Sequence, residues 1–236
     1  MEDRRLLRAA VLWIAAAAMP VTVAACGPLD PNDAVKNPGP INGTFAVSDY
    51  FIPSGHMGDG QNLGYLHADT NLDCKPRPPG VRGYCYDFTY LKIGPIKWAG
   101  VYWVYPANNW GSRAGRRVEN SKAFKQVRFY AASDIPDLRV SFFYGGISDA
   151  LLPNHDDISD FTAFDVSTEW RQFRMVLPPE GLDFSRLIGA FGWSVAYPNG
   201  EASSKNVYPA GDRPFHIYLN DIVWDTEAPP PPPPQP

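Results

Sequence analysis

Lys125-Gln126-Val127-Arg128-Phe129-Tyr130 alternates polar and apolar residues, which places Val127 and Phe129 on one side of an extended backbone. Arg139-Val140-Ser141-Phe142 and Gln172-Phe173-Arg174-Met175-Val176-Leu177 repeat this alternation further along the chain. Successive side chains of a β-strand point to opposite faces, so the pattern predicts strands with one face on a core and one face in water.

Similar segments recur through most of the 236-residue chain, separated by Gly, Pro, Asn and Asp. No convincing amphipathic helix pattern and no internal repeat lies between them. Many short strands with turn residues between them predict an all-β protein, a single β-sandwich of the jelly-roll kind over residues 41–226. The candidate strands are Thr44–Ile52, Tyr84–Ile93, Trp98–Tyr105, Ala123–Ala131, Arg139–Tyr144, Trp170–Leu177, Ile188–Ala196 and Phe215–Trp224.

The amino terminus has the pattern of an export signal. Arg4, Arg5 and Arg8 precede the apolar run Val11–Met19, which is shorter than the about 20 residues needed to span a bilayer. Val23-Ala24-Ala25 and then Cys26 follow. We therefore expect residues 1–25 to be a signal peptide.

The residues around Cys26 resemble the lipobox of bacterial lipoproteins, with Val23 where that family more often has Leu. The resemblance implies lipidation of Cys26 and a place at the cell envelope, in the outer membrane or at the cell surface. The alternative is an ordinary signal peptide followed by a chance cysteine.

Two proline-rich segments flank the predicted domain. Residues 26–40 contain the lipidated cysteine and four prolines, and they are expected to be a flexible, disordered tether. Residues 227–236 form a Pro-rich tail that favours polyproline II. Contact with the bilayer is therefore expected through the Cys26 anchor only.

Cys74 and Cys85 remain once Cys26 is assigned to the anchor. An even number of cysteines in an exported chain predicts one disulfide. A two-cysteine metal site is the rival interpretation, but no paired His or further Cys completes a ligand set.

The densest aromatic segment is Trp98–Gly111, which holds three Trp and two Tyr. In a strand, Tyr102 and Val104 oppose Val101, Trp103 and Tyr105, so one set fills the core and the other can face a ligand. Sugars offer apolar CH faces and polar hydroxyls, which suit aromatic rings beside amides. The alternative is that these aromatics are all core or loop anchors. The predicted carbohydrate-binding residues are Trp98, Trp103, Asn108, Asn109, Trp110, Trp193 and Tyr197.

Two later segments resemble strands of galactose-binding-like domains, many of which are carbohydrate-binding modules. Ser167–Leu177 is similar to a strand of that family in which a Trp is usually structural, here Trp170, and Phe215–Ile222 is similar to its closing strand. The resemblance implies a jelly roll and a structural calcium between the first and last strands. Asp221 matches the last-strand aspartate, and Asp49 is the nearest counterpart on the first strand. Gly58-Asp59-Gly60 is a further candidate, although it is also an ordinary turn sequence.

No catalytic constellation is visible. A glycosidase needs two carboxylates across the scissile bond, and none of the few glutamates lies on a convincing aromatic strand. His155-Asp156-Asp157 reads as a solvated loop more readily than as a metal or proton-shuttling site. The formal net charge of −4, without a basic block, makes nucleic acid an improbable partner. The sequence predicts a non-catalytic glycan-binding lipoprotein; the alternatives are a structural or adhesive protein-binding lipoprotein and a polysaccharide lyase or glycoside hydrolase.

Overall fold

The computed structural model describes residues 41–58, 66–69, 74, 81, 84–90, 98–156, 158–196 and 214–230. Within these residues the regular structure is β-strand, with single 3₁₀ turns at Val47–Asp49 and Ser121–Ala123. The strands are β1 (Thr44–Ala46), β2 (Ile52–Gly58), β3 (Leu66–Asp69), β4 (Cys85–Tyr90), β5 (Trp98–Val104), β6 (Gln126–Ser133), β7 (Leu138–Gly145), β8 (Ser159–Val166), β9 (Arg171–Val176), β10 (Gly189–Ala196) and β11 (Phe215–Asp225).

The strands form two antiparallel sheets that pack as a sandwich. The six-stranded sheet has the order β3-β4-β11-β6-β9, and β1 pairs with the end of β11. The five-stranded sheet has the order β2-β5-β10-β7-β8. The predicted all-β sandwich is therefore confirmed.

The core lies between the sheets and is rich in aromatic residues. Phe129 of the six-stranded sheet contacts Phe142 and Phe191 of the five-stranded sheet, with ring centroids 4.4 and 5.0 Å apart. Val127 and Phe129 are fully buried, as the alternation of their strand predicts. Such a core stabilises the fold because burying a large apolar side chain contributes about 1.5–3 kcal/mol.

A bulge in β11 separates its pairing with β4 from its pairing with β1. The register with β6 shifts between Asn220 and Val223, and Asp221 takes a left-handed conformation with φ of 50°. Arg128 of β6 bridges the bulge, because its Nη1 and Nε atoms each lie 2.9 Å from a carboxylate oxygen of Asp221 and Asp225 respectively.

Three strands were absent from the sequence prediction: β2, β3 and β8. The predicted first strand, Thr44–Ile52, is wrong in its middle, because the 3₁₀ turn at Val47–Asp49 divides β1 from β2. No helix within the described residues is long and apolar enough to cross a membrane.

Candidate functional site

A row of side chains crosses the outer face of the five-stranded sheet. Gly55, Tyr102, Gly192, Phe143 and Phe161 are register partners on β2, β5, β10, β7 and β8. Side chains opposite one another in paired strands lie on the same face. The row therefore places three aromatic rings on one face, with glycine in the first and third positions.

The glycine of β10 makes room for the floor of this surface. A Cβ atom at Gly192 would lie 2.2 Å from Tyr102 Cδ2 and 2.3 Å from Phe143 Cε2. A Cβ atom at Gly189 would lie 2.4 Å from Tyr102 Cε1. The Tyr102 ring thus lies flat across the backbone of β10, with its centroid 5.0 Å from that of Phe143.

Trp110 rises at the β2 end of the row. Its Cζ2 atom lies 3.2 Å from the position of a Cβ atom on Gly55, and its ring lies 6.4 Å from Tyr102 at an interplanar angle of 28°. The side chain remains 37% exposed. At the β8 end Phe161 is 72% exposed, so each end of the row presents an accessible aromatic side chain.

The loop that carries Trp110 is fixed by Asn109. Its Nδ2 donates to the carbonyl oxygens of Tyr105 and Arg113 at 3.0 and 2.9 Å. Its Oδ1 accepts from the backbone N–H groups of Gly111 and Arg113 at 3.1 and 3.0 Å. Asn109 is fully buried, so Trp110 is held by a loop that is braced from inside.

The connection between β7 and β8 forms the end wall of the surface. Asp156 is buried and accepts hydrogen bonds from the backbone N–H groups of Ile188, Ile147 and Gly189 at 2.6, 3.1 and 3.3 Å. Asn154 of the same connection donates through its backbone N–H and its Nδ2 to the Gly111 carbonyl oxygen, both at 3.1 Å. One loop is therefore pinned to the start of β10 and to the residue that follows Trp110.

These elements enclose an open groove of about 750 Å³. Its wall combines four aromatic rings, serine hydroxyls and two aspartates, a mixture typical of small-molecule sites. The lining residues are Met57, Tyr102, Trp110, Ser141, Phe143, Gly145, Gly146, Ile147, Ser148, Asp149, Ser159, Asp160, Phe161 and Ser194.

Tyr102 joins the floor of the groove to its end wall. Its hydroxyl group donates to the Gly145 carbonyl oxygen. Burial raises the pKa of Tyr102 well above its ordinary value, and the negative charge of Asp156 raises that pKa further. The phenol therefore stays a hydrogen-bond donor over the whole physiological pH range.

Three of the predicted binding residues do not face a ligand. Trp103 and Trp193 are fully buried, because their faces of β5 and β10 pack on the core: Trp103 lies 5.0 Å from Tyr86, and Trp193 lies 5.2 Å from Phe88. The prediction that they form a sugar platform is wrong. The prediction that Asn109 binds a sugar is also wrong, because its side-chain amide is hydrogen-bonded to the backbone of its own loop.

The other predicted binding residues have different positions. Trp110 lines the groove. Trp98 is half-buried at the start of β5, on the face of Tyr102, and Asn108 is exposed, with its backbone N–H donating to Ser54 Oγ at 2.9 Å. Neither residue lines the groove, and Tyr197 lies outside the described residues.

The predicted calcium ligands do not fit a calcium site. Asp49 is exposed in its 3₁₀ turn, and Asp221 is paired with the Arg128 guanidinium, which also pairs with Asp225. Calcium requires six to eight oxygen ligands. Among the described residues no group of three or more His, Cys, Asp or Glu side chains could hold a metal, and Asp59 lies outside them.

The disulfide prediction is confirmed. Cys74 and Cys85 are bonded, with their Cα atoms 6.0 Å apart, and both are buried. Cys85 is the first residue of β4, so the bond ties Cys74 to the six-stranded sheet.

Sequence reasoning missed most of the groove. Phe142 and Phe143 are adjacent in β7, so the alternation alone requires one of these rings to leave the core. Phe161 was missed because β8 was not recognised as a strand. Asp156 was interpreted as part of a solvated loop, but its carboxylate is buried and binds three backbone donors.

No protein-family model matches the chain, and no curated protein matches its sequence. Solved structures with a similar arrangement include a family 30 carbohydrate-binding module, with a TM-score of 0.42 and 13% identity over 73% of this chain and 92% of that one. A family 11 carbohydrate-binding module from Clostridium thermocellum, in complex with a β-1,3-1,4-mixed-linked tetrasaccharide, has a TM-score of 0.38 and 11% identity over 72% and 95%. An agarase has a TM-score of 0.41 and 10% identity over 79% of this chain and 25% of its own. No residue role is carried over from these structures.

Proposed function

We propose that this protein binds a glycan chain, without catalysis, in the groove on the outer face of its five-stranded sheet. The observation that carries the proposal is the cross-strand row of Tyr102, Phe143 and Phe161, with Trp110 standing at one end of it.

The groove has the chemistry that a sugar chain requires. Aromatic faces pack against the apolar CH faces of sugar rings, and hydroxyl and carboxylate groups bind the sugar hydroxyls. Ser141, Ser148, Ser159 and Ser194 line the groove beside the rings. Adjacent strands lie about 4.8 Å apart, so a row across five strands spans about 19 Å. That length suits several linked sugars better than one.

We do not assign the two carboxylates of the groove as the catalytic pair that a glycosidase uses. Such a pair flanks the scissile bond from two sides. Asp149 lies in the connection between β7 and β8, whereas Asp160 of β8 is the register partner of the buried Tyr144, which places its side chain on the face opposite Phe143 and Phe161. Each carboxylate also accepts a hydrogen bond from nearby backbone, from Leu151 N–H and Phe161 N–H respectively. This arrangement supports a binding role.

The experiment is affinity electrophoresis on a panel of polysaccharides, with calorimetry on whatever glycan is retained. Loss of one stacking ring should reduce the binding free energy by about 1–2 kcal/mol. Trp110→Ala and Phe161→Ala should therefore each weaken binding about five- to thirtyfold. Tyr84→Ala is the matched control, because Tyr84 is an exposed aromatic outside the groove.

Binding that survives both groove variants, or is lost equally in Tyr84→Ala, would place the ligand elsewhere and refute the proposal. If neither the polysaccharide panel nor a glycan array shows binding, the result favours the alternative of a protein-binding lipoprotein.

We propose further that the domain is displayed at the cell envelope by a lipid on Cys26, after removal of residues 1–25. The basic, apolar and small residues before Cys26 support this proposal. Metabolic labelling with an alkyne fatty acid should mark the wild-type protein in the membrane fraction, and Cys26→Ala should remain unlabelled. Equal labelling of both proteins would contradict lipidation at this residue.

A further inference from the structure

A line of small residues runs beside the cross-strand row of aromatic residues in the groove. Gly100, Ser194, Ser141 and Ala163 are successive register partners on β5, β10, β7 and β8. Each lies two residues along its strand from a member of the aromatic row, so both lines share the outer face of the sheet. A Cβ atom at Gly100 would lie 2.2 Å from the Trp193 carbonyl oxygen, so a side chain there would have to displace backbone. These four small residues form a shallow furrow.

The floor of the furrow offers hydroxyl groups to a ligand. Ser141 and Ser194 are direct register partners, which places their Cβ atoms about 5 Å apart. Both residues line the groove and are half-buried, and neither side-chain hydroxyl is hydrogen-bonded to another described residue. Each hydroxyl can therefore donate to and accept from the hydroxyl groups of a sugar.

Larger side chains border the furrow on both sides. On one side lie Phe143 and Phe161 of the aromatic row. On the other side lie Trp98 of β5 and the register partners Arg139 and Asp165, whose side chains form an ion pair at 3.1 Å. Same-face neighbours along a strand are about 6.7 Å apart, so the backbones of the two borders are about 13 Å apart, and their side chains narrow this space. The furrow thus suits the width of one glycan chain.

Branches on a glycan chain would collide with these borders. Successive sugars of an extended chain are turned relative to one another, so branches at regular intervals leave the chain in different directions. A branch directed at the sheet meets the floor, which backbone closes at Gly100. A branch directed along the strands meets the Phe143 ring on one side or the ion pair of Arg139 and Asp165 on the other.

We infer that the furrow selects unbranched glycans: the chain crosses the strands over Ser141 and Ser194, and a chain with regularly spaced branches is excluded. The inference rests on the proposed glycan-binding function and adds the path and the class of the ligand. Trp110 and Phe161 supply affinity for sugar rings of either kind of chain, whereas the furrow discriminates between the two kinds.

The first test uses calorimetry on pairs of oligosaccharides with the same backbone and the same backbone length. Cello-, manno-, xylo- and laminari-hexaoses are compared with their xylosylated, galactosylated, arabinosylated and β-1,6-glucosylated forms respectively. The full chain should bind at least one unbranched oligosaccharide in a Trp110-dependent manner, and should bind its branched form at least about tenfold more weakly.

The second test fills the furrow. Ser141→Leu and Ser194→Leu should each weaken binding of the unbranched oligosaccharide about tenfold or more, because the added side chain occupies the path of the ligand. Ser141→Ala and Ser194→Ala remove only a hydroxyl group and should each weaken binding about two- to tenfold. Ser185→Leu is the matched control, because Ser185 is exposed and does not line the groove. The Tm of each variant shows whether it is folded, and the wild-type comparison decides the question where a leucine variant is not.

The outcomes separate the two proposals. Equal binding of a branched oligosaccharide and its unbranched form, or undiminished binding in folded Ser141→Leu and Ser194→Leu, overturns the furrow as the selective path and leaves glycan binding intact. Trp110-independent binding, or no binding of any of these oligosaccharides, counts against the proposed function and the inference together.

Discussion

Asp156 is the residue whose removal should damage both the stability and the binding surface of this domain. Its carboxylate is buried and accepts three backbone hydrogen bonds, from Ile147, Ile188 and Gly189. We consider the substitution Asp156→Ala, which leaves those three N–H groups without their acceptor.

The size of the effect follows from these donors. A buried polar group without a partner costs about 1–3 kcal/mol, and entry of water into the space left by the carboxylate offsets part of the sum. We therefore expect Asp156→Ala to lower the free energy of unfolding by about 3–5 kcal/mol. For a domain of this size that corresponds to a fall in Tm of about 6–20 °C. Asp156→Asn keeps one acceptor oxygen and should cost about half as much.

Urea unfolding, monitored by tryptophan fluorescence, measures the free energy of unfolding. Calorimetry on the retained glycan measures the affinity of the groove. Binding should weaken in Asp156→Asn even where the variant is fully folded, because an NH2 group replaces one of the two oxygens that tie the end wall to the start of β10 beneath the Tyr102 ring. Asp183→Asn, an exposed aspartate, should change neither quantity. A loss of less than about 1 kcal/mol in Asp156→Ala, or unchanged glycan affinity in folded Asp156→Asn, would refute this role.

Four further predictions concern other parts of the fold. Gly192→Ala should destabilise the protein by about 1–3 kcal/mol, measured by urea unfolding, because the new methyl group meets two aromatic rings of the groove floor. The double variant Cys74→Ser, Cys85→Ser should cost about 3 kcal/mol in the same assay, since the bond closes a loop with a sequence separation of 11. Burial lowers the pKa of His56 below its ordinary 6.5, so the folded state favours neutral imidazole; Tm should fall as the pH drops through that value, and His56→Gln should flatten the profile. EDTA should leave Tm unchanged, because the Asp221 carboxylate is already bonded to Arg128; a fall in Tm would support the predicted calcium site instead.

The fold class was predictable because alternation is strong wherever a strand has one buried face. Val127 and Phe129 illustrate this in β6, which is interior to its sheet. The strands that escaped prediction have weaker patterns. β2 contains Pro53, Gly55 and Gly58, which depress strand signals and are tolerated at a sheet edge. β8 is also an edge strand, with most of its residues at least partly exposed, so its apolar residues do not mark one buried face.

The groove was harder to predict because alternation separates two faces without saying which of them meets the other sheet. Tyr102 and Trp103 lie on opposite faces of β5, and the facing sheet decides that Trp103 is core, because Tyr86 and Phe88 pack against it. Polar loop residues raise the same difficulty. Asn109 and Asp156 have the composition of ligand-binding loops, yet both are buried and bind backbone. Whether such a side chain binds a ligand or its own backbone depends on how many nearby N–H and C=O groups lack a partner in the loop. The sequence does not show that number.

The sandwich has two outer faces, and the side-chain chemistry of the described residues favours the five-stranded sheet as the candidate site. On the six-stranded sheet the long polar side chains pair with one another. Arg128 is bonded to Asp225, and His216 Nδ1 lies 2.6 Å from an oxygen of Asp87. A ligand there would have to compete with these existing pairs for the same polar groups. On the five-stranded sheet, Gly55 and Gly192 leave space for aromatic rings that lie outside the core between the sheets. A ligand there would meet accessible aromatic rings, Trp110 and Phe161, without breaking a charged pair of the groove lining, which makes this face the better place for a weakly polar, extended ligand.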